Sequence, residues 1–539
     1  MFTEATDLKK NCKTHSSKNI DIFLSTQFCE RMKNMKKILL WVDDSSFLQY
    51  CFSTTIKNKT DFSFSTIADV NKNGRKFLES QNLLDISKIW HYRDCMPKKD
   101  HIPDEQYLTD FEKKYSINLW MIIFSERLFY NFTTYYKPTR REILAIVENS
   151  CRFFENMLDE NKPDFLFIKT IDNFQNTILF ELARAKNIKI LTLASAKLAN
   201  ATHISLDSDV IDETKQDVAV SDLEIETFLK EHDPYKQDQI KKKKEFPTAK
   251  KRIRNLLKYN KSQQDENYYP NYGKKSKKII LKNIQLTFSA LQRKKFLDKN
   301  SIKDIEDEHF VYFPLHVEPE RSILITSPFY SDQIEVITNI AKSLPIGYKL
   351  YVKEHGSMEL YFWRDQSFYK DIIKLQNVKL VHPSVNPKDI LQKCDLVTTI
   401  AGTAGLEALF FEKPVITFSD IIYSKLPNVF RINDKNKIPE TVRKALSLTP
   451  NKEGIRKLVS LYKKECLNID MINLQHECMK EIGNSGINDL VNPTQEGLEK
   501  FINKNKKELE IIADEHIHKI ELYEKNAITH GQRKDVMKI

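Results

Sequence analysis

The chain has 539 residues, of which 41% are hydrophobic and 11% aromatic. That apolar content suffices for two or three ordinary cores, so we expect two main domains with attachments. The mean hydropathy of −0.49 and the lack of an apolar run of about 18 residues exclude a transmembrane helix from our interpretation. The formal charge of +11 permits an anionic partner without choosing among nucleotide, polysaccharide, lipid head group and nucleic acid.

The first twenty residues, MFTEATDLKKNCKTHSSKNI, are polar and lack the apolar core of a secretory signal, so we expect a cytoplasmic protein. Eight cysteines are scattered from Cys12 to Cys478 without a C-x-x-C pair. Reduced thiols are therefore expected, and the spacing indicates neither a disulfide framework nor a metal site.

The first domain is predicted to follow a flexible extension at residues 1–35 and to occupy residues 36–204. Its predicted strands are KKILLWV (36–42), FSFSTIA (62–68), KIWHY (88–92), PDFLFIK (163–169) and IKILTLA (188–194). Helical stretches lie between them, and strands that alternate with helices predict a parallel sheet wound with a right-handed sense.

Residues 205–305 change character and read as a polar, partly helical, basic connector. An acidic stretch, SLDSDVIDETKQD, precedes the run KKKKEFPTAKKRIRN at 241–255. Such a run is most often a solvated face. The functional alternative is attraction to anionic lipid head groups, worth about 1 kcal/mol per cation near a charged membrane. Nucleic-acid binding is not expected, because no fold motif supports it.

A second α/β pattern fills residues 306–450, and residues 451–539 are predicted to be helical. The predicted strands of the second domain are 309–315, 349–355, 378–382, 395–401 and 414–418. This repetition indicates a doubly wound sheet. We therefore predict two Rossmann-like α/β domains that face a cleft, with a helical C-terminal extension, which is the outline of a glycosyltransferase of the B type (GT-B). The first domain would bind the acceptor and the second the donor.

The stretch TTIAGTAGLEALFFEKPVITF, residues 398–418, joins a strand to a helix through two of the chain's 11 glycines. Free N–H groups and the dipole at the start of a helix favour an anion. We expect Gly402, Thr403 and Ala404 to bring the backbone close to a phosphate, with Thr403 capping the helix. Glu407, one turn on, is placed to accept hydrogen bonds from ribose hydroxyls. The alternative is an ordinary strand–helix turn with an exposed glutamate.

Two further stretches end strands of the same predicted sheet. In YKLYVKEHGSM (348–358), Lys353 and Glu354 precede His355, which could bind the donor phosphate or protonate a leaving group. In VYFPLHVEPE (311–320), His316 and Glu320 follow the first strand, and a carboxylate there could act as a base or bind sugar hydroxyls. Taken singly, each is as well explained as a loop residue, but ligands bind at the carboxyl ends of such strands, and three stretches converge there.

The first domain offers several candidates for a catalytic base, which the sequence does not rank. All follow predicted strands or lie in the next loop, and each can equally be an ordinary cap or turn residue. They are Asp43, Asp44, Ser45, Asp172, Asn173, Lys197 and His203.

The order LHxxPE, LPxGxKLYVKEH and GTxGLEALxxxKPVI resembles the capsule polysaccharide biosynthesis family, which includes bacterial β-Kdo transferases. The likeness spans about 120 residues of the second domain, and the stretch from YLTDFEKKYSINLW to KPDFLFIKT resembles the N-terminal half of these proteins more loosely. The resemblance implies a GT-B fold, a nucleotide-activated sugar donor and a role in building a surface glycan. A CMP-Kdo-like donor is a separate hypothesis that the resemblance does not imply, because Gly356 stands where the family usually has Pro after the histidine. It also implies that His355 and Glu354 lie near the donor phosphate and Glu407 near the ribose.

The leading hypothesis is thus a metal-independent glycosyltransferase of capsule or surface polysaccharide assembly. It would need no cofactor besides its nucleotide-sugar substrate, would act on a glycan or glycolipid acceptor, and could touch the inner face of the membrane through the basic connector. The alternatives are a nucleotide-sugar epimerase or a polyol-phosphate transferase on the same fold, and a non-catalytic protein that binds an anionic polymer.

Overall fold

The computed structural model describes residues 35–98, 100–130, 136–198, 200–233, 235, 268–272, 276–355, 364–483 and 491–525. The predicted N-terminal extension, up to residue 34, and the lysine run at 241–244 lie outside these described residues. Among the described helices, none has both the length and the apolar character needed to cross a bilayer.

The first domain is built on a six-stranded sheet. Its strands are β1 (Lys37–Asp43), β2 (Ser63–Asp69), β3 (Ile86–His91), β4 (Phe165–Lys169), β5 (Lys189–Ser195) and β6 (Thr202–Ser205). They lie in the order β3-β2-β1-β4-β5-β6, and all neighbours are parallel except the antiparallel pair β5–β6. The sequence correctly predicted the five parallel strands but missed β6, which is short.

Helices cover both faces of this sheet. They are α1 (Leu48–Lys59), α2 (Lys72–Ser80), α3 (Glu105–Tyr115), α4 (Leu119–Ser125), α5 (Arg127–Tyr130), α6 (Arg140–Asn161) and α7 (Phe174–Ala185). Alternate residues of β1 enter different cores: Leu39 and Trp41 pack with α6 and α7, whereas Ile38 and Leu40 pack with α1. A strand buried on both faces explains the unbroken apolar run ILLWV.

The second domain repeats the design with six parallel strands. They are β7 (Phe310–Pro314), β8 (Lys349–Lys353), β9 (Val378–Val381), β10 (Leu396–Thr399), β11 (Val415–Thr417) and β12 (Val429–Arg431). Their order is β12-β11-β10-β7-β8-β9. Its helices are α10 (Arg321–Leu324), α11 (Gln333–Ser343), α12 (Gln366–Ile373), α13 (Pro387–Lys393), α14 (Ala404–Leu409) and α15 (Ile438–Leu446). The strand order reverses between β7 and β10, which is where open α/β sheets bind ligands.

The connecting and trailing segments are helical where they are described. They comprise α8 (Asp222–Glu231), a 3-10 turn at Tyr269–Asn271, α9 (Ser276–Asn300), α16 (Glu453–Glu465), α17 (Met471–Glu481), α18 (Gln495–Lys504) and α19 (Lys506–Lys525). Helix α16 packs against the second domain, whereas α17, α18 and α19 return to the first domain and cover α1. The predicted architecture, two doubly wound α/β domains with a helical C-terminal part, is confirmed.

Candidate functional site

A cavity of about 1170 Å³ opens at the carboxyl ends of the second domain's strands. All nine residues of the second domain that the sequence singled out for catalysis or donor binding line it. They are His316, Glu320, Lys353, Glu354, His355, Gly402, Thr403, Ala404 and Glu407. The three loops that carry them follow β7, β8 and β10, so the parallel sheet itself brings these distant stretches together.

His316, two residues beyond β7, is fixed by hydrogen bonds on both its backbone and its ring. Its backbone N–H donates to Oε1 of Gln333 (2.8 Å), and the backbone N–H of Ala401 donates to its ring Nε2 (3.1 Å). Burial lowers the pKa of His316 to about 3, with His355 and Arg364 adding smaller repulsive effects. The imidazole is therefore neutral at pH 7.

The tautomer of His316 follows from these contacts. Because Nε2 accepts the Ala401 N–H, the ring proton of the neutral imidazole is assigned to Nδ1. Nδ1 is buried and has no hydrogen-bond partner among the described residues. A buried N–H donor without a partner is costly, typically by about 1–3 kcal/mol. With essentially no accessible surface, Nδ1 is closed to a ligand in the cavity in this conformation.

The two glycines of the β10–α14 turn are required by packing. A Cβ on Gly402 would lie 2.7 Å from Oγ1 of Thr399 and 3.2 Å from Nε2 of His316. A Cβ on Gly405 would lie 2.5 Å from the hydroxyl oxygen of Tyr423, which donates to the carbonyl of Gly402. The glycines thus let the turn close tightly over His316 and Tyr423, a reason that the sequence did not reveal.

The hydrogen bonds of this turn limit which N–H groups can meet an anion. The N–H of Gly402 donates to Oγ1 of Thr399 (3.1 Å), and that of Gly405 donates to the Gly402 carbonyl (3.3 Å). The N–H groups of Thr403 and Ala404 donate to no acceptor in the described part of the chain. Any anion at this turn would therefore meet these two groups rather than the N–H of Gly402.

The prediction that Thr403 caps α14 is wrong. Thr403 has helical backbone angles and makes no capping bond, because its hydroxyl donates to Oε1 of Glu407 instead (3.1 Å). The other carboxylate oxygen, Oε2, accepts from the hydroxyl of Tyr235, a residue of the connector. Glu407 is thus held against the cavity wall by two hydroxyl groups, which are the kind of partner that a ribose also offers.

Glu354 lies in a buried ion pair rather than with its carboxylate free. Arg364 donates to both carboxylate oxygens (2.8 and 2.7 Å), the Tyr369 hydroxyl donates to Oε2, and the N–H of His355 donates to Oε1 (2.7 Å). Arg364 also donates to the carbonyl of His316 (2.9 Å). This network ties the loop after β8 to the loop after β7.

Three further ionisable side chains of the second domain line the cavity: Lys353, His355 and Glu320. Lys353 is buried at the end of β8. The side chain of His355 keeps an exposed surface, yet the surrounding protein removes enough water to lower its pKa, while the Glu320 and Glu354 carboxylates oppose that shift. Glu320 accepts from the Ser322 hydroxyl (2.9 Å). A neutral imidazole beside a carboxylate is suited to accepting a proton.

The first domain contributes Lys197 to the cavity wall, and Asp209, at the start of the connector, lines the same wall. Lys197 has φ of 69°, a left-handed conformation that is uncommon outside glycine and marks many functional sites. Desolvation lowers its pKa, and the nearby Arg321 guanidinium adds to the effect. The sequence had named Lys197 only as one of seven unranked candidates.

Other candidates of the first domain lie away from this cavity. Asp43 is buried and accepts from Trp41 Nε1 (2.8 Å), Ser45 Oγ (2.6 Å) and Lys169 Nζ (2.9 Å). Asp44 pairs with Arg93, Asn173 caps α7, and Asp172 contacts Lys169 (3.3 Å). Burial lowers the pKa of His203 to about 3, and this residue of β6 is fully enclosed. These contacts are those of structural side chains.

The sequence reasoning missed Arg364, Tyr235 and Arg321. Tyr235 is 172 residues from Glu407, and Arg364 is ten residues from Glu354; neither stands in a motif, so no local signal could have found them. Arg321 follows the predicted LHxxPE motif directly and donates to Asp209 at the start of the connector (2.7 and 2.8 Å).

Comparison with known protein families tests the predicted resemblance. The family model described as "Capsule polysaccharide biosynthesis protein" matches residues 220–426. This segment resembles the capsule polysaccharide biosynthesis family. The match contains the three cavity loops, so the resemblance predicted from the motifs is confirmed over this part of the chain. None of the curated proteins compared with the chain matches it.

Several solved structures are similar in outline. The KpsC beta-Kdo 2,7 transferase of Thermosulfurimonas dismutans shows 15% identity over 61% of this chain and 85% of its own, with a TM-score of 0.27. The Methanocaldococcus jannaschii UDP-GlcNAc 2-epimerase, in complex with UDP-GlcNAc and UDP, shows 12% identity over 79% of this chain and 99% of its own, with a TM-score of 0.24. At such TM-scores neither likeness supports an argument about this chain.

Proposed function

We propose that the protein is a glycosyltransferase of capsule or other cell-surface polysaccharide assembly, with a nucleotide-activated sugar as donor. One observation carries the proposal: loops after β7, β8 and β10 converge on one large cavity at the point where the strand order reverses. The family match over residues 220–426 supports a role in capsule polysaccharide assembly. A CMP-Kdo-like donor sugar is kept as a separate proposal.

The donor phosphate is proposed to lie between the β10–α14 turn and His316. The N–H groups of Thr403 and Ala404 supply neutral donors, and the His316 ring lines the same part of the cavity. Lys353, which is buried at the end of β8 and lines the cavity, supplies positive charge. Donors that are fixed before the reaction stabilise the charge that develops on a leaving phosphate without reorganising. We therefore propose a metal-independent reaction, in which these groups bind the phosphate.

Glu407 is proposed to bind the ribose. Its carboxylate already accepts two hydroxyl groups, from Thr403 and Tyr235, so sugar hydroxyls are matched partners for the same oxygens. A carboxylate binds a diol well because it offers about four lone-pair sites.

The transfer step is assigned to His355 and Glu320. Neutral His355 takes the proton from an acceptor hydroxyl as its oxygen bonds to the anomeric carbon, and the bond from that carbon to the phosphate oxygen breaks. The electron pair leaves with the nucleotide phosphate. The Glu320 carboxylate stabilises the imidazolium that forms. Glu354, with its oxygens already engaged, is proposed to position His355 directly, by accepting its backbone N–H, and to position His316 through Arg364.

The acceptor is proposed to be a glycan or glycolipid that enters from the first domain, past Lys197. We also keep the proposal that the enzyme works in the cytoplasm and that its basic connector contacts anionic lipid head groups.

A thermal-shift screen with CMP, CDP, UDP and GDP sugars tests the proposal. A donor present at 100 times its dissociation constant should stabilise the fold by about 2.7 kcal/mol. Glu407→Ala and His355→Ala should each abolish donor turnover, measured as release of free nucleotide in the presence of acceptor, while the fold survives. Glu440→Ala, at an exposed position outside the cavity, is the control.

Three results would overturn the assignment. The first is wild-type turnover in both cavity variants. The second is a screen in which no nucleotide sugar shifts the melting temperature. The third is conversion of the donor to its epimer without any acceptor, which would identify an epimerase on the same fold.

A further inference from the structure

Helix α9 carries an apolar stripe that the rest of the described protein does not cover. Leu281, Ile284, Phe288 and Leu291 are 68%, 55%, 66% and 56% exposed. Their spacing of three, four and three residues places all four on one side of the helix. Contiguous exposed apolar side chains of this size mark an interaction surface more often than an accident of the surface.

The fold of the second domain uses a different side of α9. Leu297 is buried in the core beside β7 and β8, Phe296 packs against the same cluster, and Arg293 is buried as well. These residues near the C-terminal end fasten the helix to the domain. The exposed stripe extends from that anchor toward the N-terminal end, so it is not needed to hold the helix in place.

The charge of α9 identifies a matching partner. Between residues 276 and 300 the chain has seven Lys or Arg residues and one acidic residue, Asp298. Lys294 and Lys295 are exposed at the end of the stripe. Lysine stems can lie along an apolar surface while their ammonium groups reach outward to anions. A helix with bulky apolar residues on one face and lysines around it is suited to the boundary between lipid head groups and acyl chains.

We propose that the Leu281–Ile284–Phe288–Leu291 face of α9 lies in the interfacial layer of an anionic lipid bilayer. Two copies of this helix packed face to face would bring their lysines together, and like charges oppose such a pair. An anionic membrane provides an apolar layer for the stripe and negative charge for the lysines. This contact deepens the membrane contact proposed above for the basic connector (205–305), of which α9 is a part, and rests on that proposal but not on the proposed catalysis.

Co-sedimentation with vesicles tests the proposal on the full-length protein. Vesicles of phosphatidylcholine with about 30% phosphatidylglycerol should bind the protein. Vesicles of phosphatidylcholine alone should bind it at least tenfold less. The double variant Ile284→Ser/Phe288→Ser should lower the partition coefficient at least tenfold. The matched double variant Ile346→Ser/Phe329→Ser removes exposed side chains of the same two types elsewhere and should change it less than twofold.

The contrary outcomes are specific. Unchanged vesicle binding by Ile284→Ser/Phe288→Ser, with helix content intact by circular dichroism, would refute the assignment. Equal binding to neutral vesicles would refute the role of the lysines. A dimer by light scattering that this variant converts to a monomer would assign the stripe to a second copy instead. Release of nucleotide with a soluble acceptor should be the same in the variant and the wild type, so a failure of the proposed chemistry would show separately.

Discussion

The close contact at Gly402 sets the geometry of the donor turn, and it can be tested by adding a single carbon. In Gly402→Ala the new Cβ would meet the Thr399 hydroxyl at 2.7 Å and the His316 ring at 3.2 Å. Both neighbours are buried, and both hold N–H groups of the turn. We expect the free energy of unfolding to fall by roughly 1–3 kcal/mol, as in other overpacked sites, and donor affinity to fall with it. Chemical denaturation and nucleotide titration measure the two effects.

Gly347→Ala is the matched control, since a Cβ there would meet no atom within 4 Å. Neither glycine has a φ in the left-handed range, so the substitutions differ in packing alone. Alanine restricts the unfolded chain, and Gly347→Ala should therefore be neutral or stabilising by up to about 1 kcal/mol. If both variants behave alike, the contact with His316 does not constrain the turn.

Single residues were predictable where their backbone position decides their place. His316, His355 and Gly402 each follow a strand, so the parallel sheet was enough to bring them to one edge. Arg364 and Tyr235 reach the site only through side-chain contacts with Glu354 and Glu407. The Tyr235–Glu407 contact spans 172 residues of the chain and the Arg364–Glu354 contact only ten, but both depend on tertiary packing, and the sequence carries no local sign of either.

At the scale of elements, strands that stand in an apolar run were predictable, whereas β6 and β12 were not. β9 and β10 have four residues and β11 three, yet the apolar runs around them predicted each one. β6 (THIS) has one aliphatic residue among four, and β12 (VFR) is three residues long with a charged end, so only their neighbours in the sheet identify them. The sequence also did not predict that the C-terminal helices pack against the first domain. An amphipathic pattern shows that a helix packs against another element but does not identify that element.

The packing of helix α19 against the first domain can be tested by mutation. Ile512 is fully buried between α19 and the core around α1, whereas its neighbour Ile511 is 39% exposed. Ile512→Ala should lower the free energy of unfolding by about 2–5 kcal/mol, because it leaves a cavity. Ile511→Ala, the same substitution one residue away, should cost less than about 1 kcal/mol. Urea denaturation of both variants measures the difference, and equal losses would mean that α19 does not pack on the first domain as described.

At the scale of the whole molecule, the two domains form the cavity together, so their contact belongs to the function. Arg321 of α10 donates to the carbonyl of Ile171, to Ser208 (2.8 Å) and to both carboxylate oxygens of Asp209. Thr326 also donates to Asp209 (3.0 Å). Because Arg321 directly follows Glu320, this junction fixes both the domain arrangement and the position of a proposed catalytic carboxylate.

Arg321→Lys tests whether this junction couples the domains. Lysine keeps the charge but cannot match both oxygens of Asp209 or reach the same three partners at once. We expect a loss of roughly 1–3 kcal/mol at a pair this well buried, with calorimetric unfolding splitting into two transitions as the domains uncouple. Arg140→Lys is the control, because Arg140 makes an equally bidentate pair with Glu105 on the surface, where water already competes for both groups. One transition at the wild-type temperature in Arg321→Lys would show that the domains are held by other contacts, and Glu320 would then have to be positioned by its own loop.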